Sequence, residues 1–313
     1  YLPYFFVISD DKDITLKPRL FNNKLVLQTE YRQETKNSLT IIDSSVTTGH
    51  YSDKKKKSDK DTRSHLFSYT TIDLGFEDFN RSNLEINYQK ITNDTYLKLF
   101  NFIRSPIWLE PNGILTSNIA LELNHKDYDF SSSLTMYENL SGNNSDRYTY
   151  LLPSYGYSKN FFLPNFDGSF SVGSAGNYSI KDTNINSSYV NNNLSYKSLD
   201  YYTNNGILTN WDVKVRNTNT MSDNSTKYKN SPQSEVLSAY FYDVTLPLQK
   251  RTEDRKNTLV PRLNFRFSPH DMKRNTETNR SVHMGNVFSN DRLDIIETGE
   301  SLTMGIDFKK QKI

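Results

Sequence analysis

Over and over along this chain, short segments alternate an apolar or aromatic residue with a polar or charged one, and Asn/Asp/Ser/Gly/Lys turns separate them. Leu259–Ser268 shows the pattern cleanly. Leu259, Pro261, Leu263, Phe265 and Phe267 fall on one side, and Val260, Arg262, Asn264, Arg266 and Ser268 on the other. Strand side chains point to opposite faces with period two, so each segment has one greasy and one wet face. The wet faces carry Arg, Lys, Asp and Glu, which predicts a water-filled interior or solvent there rather than a second core. Repeated along 313 residues, the pattern predicts an all-β fold, a transmembrane antiparallel β-barrel.

Composition agrees where it bears on this. Only 35% of the chain is hydrophobic and mean hydropathy is -0.73, which would leave a globular core marginal and raises intrinsic disorder as a rival. Against disorder stand 21 Tyr and 18 Phe, residues of high strand propensity that populate the aromatic girdles of membrane barrels. A barrel needs apolar residues only on its lipid side. The net charge of +2 gives no reason to expect a nucleic-acid partner. Cysteine is absent, which removes disulfides and thiolate metal sites. No run of 18 apolar residues exists to form a transmembrane helix. The chain opens at Tyr1-Leu2-Pro3-Tyr4-Phe5-Phe6 without an initiating Met and stops just past a strand at Lys309-Lys310-Gln311-Lys312-Ile313. Residues 1–313 are therefore expected to be one barrel domain, incomplete at both ends.

About fifteen strands are expected from period and turn residues. The first eight are Leu2–Ile8, Asp13–Phe21, Lys24–Glu34, Ser38–Thr47, His65–Phe76, Asn83–Ile91, Leu115–Leu123 and Tyr128–Tyr137. Tyr148–Tyr157, Ser169–Ile180, Asn192–Tyr202, Ile207–Thr218, Glu235–Leu248, Leu259–Ser268 and Ser301–Phe308 complete the set. A change of phase at Tyr242-Asp243 suggests a β-bulge. Thr95–Glu110 is apolar without a two-residue period and reads as a short helix or a packed connection. Three polar stretches read as loops, Ser52–Arg63, Met221–Gln233 and Pro269–Arg280. The first carries Lys54-Lys55-Lys56-Lys57, a solvated run or a phosphate contact.

Motifs for chemistry are missing. The five histidines are scattered, with no HExxH, so neither a metal site nor another cofactor is expected. There is no GxSxG elbow and no P-loop. No nucleophile–base pair can be assembled from the sequence, and the chain is not expected to be an enzyme.

The opening is more specific than barrel character. Tyr1-Leu2-Pro3-Tyr4-Phe5-Phe6, then Asp13–Arg19, then Thr29-Glu30-Tyr31-Arg32 resembles the start of the barrel in the LPS-assembly protein LptD family, the organic solvent tolerance proteins. Leu115-Thr116-Ser117-Asn118 with Leu121-Glu122, Arg147-Tyr148 through Leu152-Pro153, Asp243–Leu248, and Asn286–Asp294 with Glu297-Thr298-Gly299 are similar to later segments of that family, in order. Asp243–Leu248 lacks the family's Trp.

The resemblance implies a periplasmic jelly-roll ahead of a barrel of about 26 strands, with the jelly-roll and the C-terminal strands absent here. It implies an outer membrane location in a Gram-negative bacterium and contact with membrane lipid. It implies three partners: lipopolysaccharide itself, an LptE-like lipoprotein plug, and a periplasmic transport bridge reached through the jelly-roll. The implied function is outer-membrane lipopolysaccharide assembly, with the glycan passing through the lumen and lipid A leaving sideways. Pro3 and Pro18 match prolines that the family keeps near its first–last strand seam, where a missing N–H weakens pairing. From the residues alone they equally mark strand ends or bulges. Lys17, Arg19, Gln28, Glu30 and Arg32 are the lumen-facing candidates. The alternative is a generic outer-membrane porin or receptor barrel, for which the same charged lining would serve.

Overall fold

The computed structural model describes residues 3–21, 24–50, 61–99, 105–107, 113–142, 146–182, 184–270, 283, 285, 287–288 and 299–312. The fold is all-β. Its strands are β1 (Tyr4–Ser9), β2 (Lys12–Phe21), β3 (Lys24–Glu34), β4 (Ser38–His50), β5 (Asp61–Asp73), β6 (Phe79–Ile91), β7 (Ile114–His125), β8 (Tyr128–Asn139) and β9 (Tyr148–Phe162). There follow β10 (Gly168–Lys181), β11 (Ile185–Ser198), β12 (Tyr201–Tyr202), β13 (Leu208–Asp223), β14 (Gln233–Thr245), β15 (Leu248–Arg251), β16 (Arg255–Ser268) and β17 (Gly299–Lys312). One short helix, α1 (Tyr96–Leu99), follows β6. Among the described residues 17 strands belong to one sheet, and the strand pairs within it are antiparallel. Among the described residues no helix is long and apolar enough to cross a membrane.

The two strands beyond the expected fifteen are β12 and β15, short ladders beside turns. Against β16 the expected bulge at Tyr242-Asp243 is absent. β14 pairs with β16 in unbroken register from Tyr240↔Phe267 to Thr245↔Arg262. Three consecutive aromatic residues, Tyr240, Phe241 and Tyr242, imitate a change of phase. In fact Phe241 is buried opposite Arg266, while Tyr240 is exposed on the other face.

Contacts divide the chain into two units. The first comprises residues 1–157, 176–189 and 220–232. Within it β1 to β8 form a meander, each strand antiparallel to the next. Register fixes the faces: Glu30 lies opposite both Thr15 and Asp43, and Leu27 opposite both Pro18 and Val46. Leu25, Leu27, Val46 and Leu66 are exposed, whereas Gln28, Asp43, Ser45 and His65 are buried. That is the inverse of a water-soluble strand pair.

The second unit comprises residues 158–175, 190–219 and 233–313. Here β16 pairs along its whole length with β17, from Arg255↔Lys312 to Ser268↔Gly299. The inversion recurs: Asn264, Arg266 and Ser268 are buried while Phe265 and Phe267 are exposed. Gly305 on the polar face of β17 has a structural reason. A Cβ there would stand 2.6 Å from the Phe288 ring.

Candidate functional site

All five candidate lining residues share the polar face of the first unit, but in two environments. Lys17 and Arg19 stand on β2, and Gln28, Glu30 and Arg32 on β3. Lys17 Nζ meets Glu30 Oε2 at 2.5 Å, and Arg32 reaches Asp13 Oδ1 at 3.0 Å and Glu30 Oε1 at 3.8 Å. Alternating charge across two strands gives cross-strand ion pairs, so this lining is a chain of mixed charge. Gln28 departs from it. It is buried, and its Nε2 donates to Asp43 Oδ1 at 3.0 Å.

That amide opens a buried polar network which sequence reading missed. Ser45 lies opposite His65 in the β4–β5 register, and its Oγ is 2.6 Å from His65 Nδ1. His65 Nε2 stands 3.5 Å from Asp43 Oδ2. The Tyr96 hydroxyl of α1 bonds Ser45 Oγ from above, and burial pushes the Tyr96 phenol pKa up. Serine, histidine and aspartate thus meet although no motif announced them; Asp43 and Ser45 are two apart, and only register brings His65 to them. All three side chains are buried, and Ser45 Oγ ties Tyr96 to the set.

A second anchor holds the same connection two residues earlier, at Asp94. Glu138 is buried and receives Lys90 at 2.9 Å, Arg147 at 2.6 Å and the Tyr148 hydroxyl at 3.1 Å. Arg147 also donates to Asp94 at 2.8 Å, and that carboxylate pushes the Arg147 pKa up further. Beside these anchors Tyr96 and Leu97 pack with Val26, Phe67, Ile91, Leu115 and Leu140. The described part of the connection after β6 is therefore both a short helix and a packed one; residues 100–104 and 108–110 of the expected stretch lie outside the described residues. It makes an apolar core on a face expected to be wet. Val26 and Phe67 supply the reason, since they fall on the polar side of their strands and need a cover.

In the same unit β1 is apolar on both faces and exposed along Tyr4–Ile8. A cleft of about 550 Å³ lies against it, lined by Phe5, Val7, Asp13, Arg32 and Leu39 among others. At its turn the Ser9 hydroxyl bonds Asp11 and holds that carboxyl below the ordinary range. The β1–β2 ladder runs from Ser9↔Lys12 to Tyr4↔Leu16. Pro3 stands one residue ahead of β1 rather than within a strand, and Pro18 lies two residues beyond that ladder, opposite Leu27 of β3. Lys54–Lys57 fall outside the described residues. Among those described, no three His, Cys, Asp or Glu side chains converge to hold a metal ion. No model of a known protein family matches this chain, and no curated protein matches it either.

Proposed function

We propose that this chain is barrel wall of an outer-membrane lipopolysaccharide assembly protein of the LptD kind, conducting the glycan along its polar face and releasing the lipid through a seam at β1. The observation that carries the membrane part is the stripe on β17. Leu302, Met304, Ile306 and Phe308 are 55%, 69%, 70% and 64% exposed, while Arg266 next door on the opposite face is 1% exposed. Water would reverse that choice; hydrocarbon selects it. The stripe is closed by Glu300 at one end and Lys310 at the other. The strand between them is about 34 Å at about 3.4 Å per residue. A tilt of about 45° makes that about 24 Å of height, against an apolar band of about 25 Å in such barrels.

Dragging a charged headgroup through lipid is expensive, so a polar wall lined by Lys17, Glu30, Arg32 and Asp13 serves the hydrated, phosphorylated sugar. Acyl chains need the opposite, and β1 is greasy on both faces beside that wall. A seam must open without large loss of backbone hydrogen bonds, and the β1–β2 ladder stops at Tyr4↔Leu16, short of Pro3 and Pro18, neither of which has an N–H to extend it. In this reading an LptE-like lipoprotein fills the lumen and a periplasmic bridge supplies the lipid.

The test is Pro3→Ala with Pro18→Ala in the full-length protein. Each restored N–H adds roughly 0.5–1.5 kcal/mol to strand pairing, enough to lower an open population several-fold. Surface-exposed lipopolysaccharide should fall and sensitivity to large hydrophobic antibiotics rise, with a normal amount of folded barrel. Unchanged delivery refutes the gate role. Failure to recover a lipoprotein with the full-length protein would favour the porin reading.

A further inference from the structure

The second unit carries an aromatic cavity built by strand register on its apolar face. Tyr240 of β14, Phe267 of β16 and Glu300 of β17 stand in one cross-strand row. Tyr242, Phe265 and Leu302 stand in the next row on the same face. Trp211 of β13 closes the side, its ring centroid 4.6 Å from that of Tyr242. Together these aromatic side chains and Glu300 line a cavity of about 270 Å³. Its lining is aromatic but for that one carboxylate. Among the described residues Glu300 has no ion-pair partner, whereas Arg262 and Asp307 on the opposite face of the same strands pair with each other at 2.6 Å.

From this geometry we infer that the cavity binds the alkylammonium head group of a membrane lipid. Aromatic faces attract a cation through their quadrupole, most strongly where water is excluded, and Trp and Tyr are the better partners. A carboxylate adds net charge that rings alone lack. The volume falls below the usual range of about 300–1,000 Å³ for drug-sized pockets, which suits a head group of a few atoms. Position selects the source. Glu300 ends the apolar stripe of β17, at the height where head groups lie if the strand spans the bilayer as proposed above, and the inference rests on that reading.

The experiment reconstitutes the full-length protein in vesicles, with Trp211 as the reporter. Trp108, the other of the 2 tryptophans, and any further ones in that protein are replaced by Phe. Quenching by brominated phosphatidylethanolamine is compared with quenching by a brominated galactosyl lipid of the same chains. The expected result is at least a threefold preference for the ethanolamine lipid, lost in Glu300→Gln. Tyr240→Leu with Phe267→Leu keeps the charge, removes two rings and should lose the preference too. Lys310→Gln, at the far end of the stripe, should retain it. No preference in the wild type overturns the site, as does a preference that survives Glu300→Gln. A preference sensitive to Glu300→Gln but indifferent to the rings overturns the aromatic box and leaves surface charge as the cause. A wild-type protein that fails to insert overturns the membrane reading itself, and the lipid occupant with it.

Discussion

Glu138 is the side chain whose loss this structure should feel most. It is buried beneath Lys90, Arg147 and Tyr148, and removing it leaves Lys90 without its carboxylate and Arg147 with Asp94 alone. Breaking a buried pair costs about 3–5 kcal/mol. Because Lys90 is 41% exposed and can turn to water, Glu138→Ala should sit near the lower figure, read as a lower denaturant midpoint of the full-length barrel. Asp11 makes a milder claim. Its carboxyl is held below the ordinary 3.8 by the Ser9 hydroxyl. A depressed acid contributes stability that is present above the unfolded pKa and lost as pH falls through the folded one. Ser9→Ala should therefore return the Asp11 titration toward 3.8, measured by NMR; an unmoved titration would show that the hydroxyl is not the cause. Such residues were only partly legible in the sequence. Lys17, Glu30 and Arg32 follow from period alone. The Asp43–His65–Ser45 set does not, since it depends on which residue of β5 faces which residue of β4.

At the level of the strand, alternation made most elements readable, because one face had to be apolar and the other polar throughout. The exceptions have physical causes. α1 is a single turn and has no period to read. β12 and β15 are too short to show alternation. The two faces also respond differently to charge. Met304→Arg in β17 should destabilise the full-length protein by roughly 2–4 kcal/mol if it lies near the midplane, while Thr303→Arg beside it should cost little. Leu134 of β8, exposed opposite Ile119, should behave as Met304 does and Ser133 as Thr303. Equal tolerance on both faces, scored by heat-modifiable migration, would remove the lipid from the argument. A polar position is not automatically permissive, however. Asn264 is buried and donates to Asp243 at 2.6 Å, so Asn264→Arg should be poorly tolerated although alternation places it on the wet side.

For the molecule as a whole, the strand count sets the behaviour: in the proposed reading these strands are only part of a larger barrel. Unpaired edges do not survive in hydrocarbon, so residues 1–313 expressed alone should give no heat-modifiable monomer in detergent. A protease-resistant monomer would show that the sheet can close by itself. The connection after β6 adds a consequence in time. Tyr96 reaches Ser45 across 51 residues, and Asp94 reaches Arg147 across 53. Contacts so distant along the chain close late, after the nearer pairings have given back their loop entropy. The short helix has no seat until β3 to β8 stand side by side around Val26, Phe67, Leu115 and Leu140. Its docking therefore works as a clock for assembly: a Tyr96 shielded from solvent reports that the strands on either side of it have arrived.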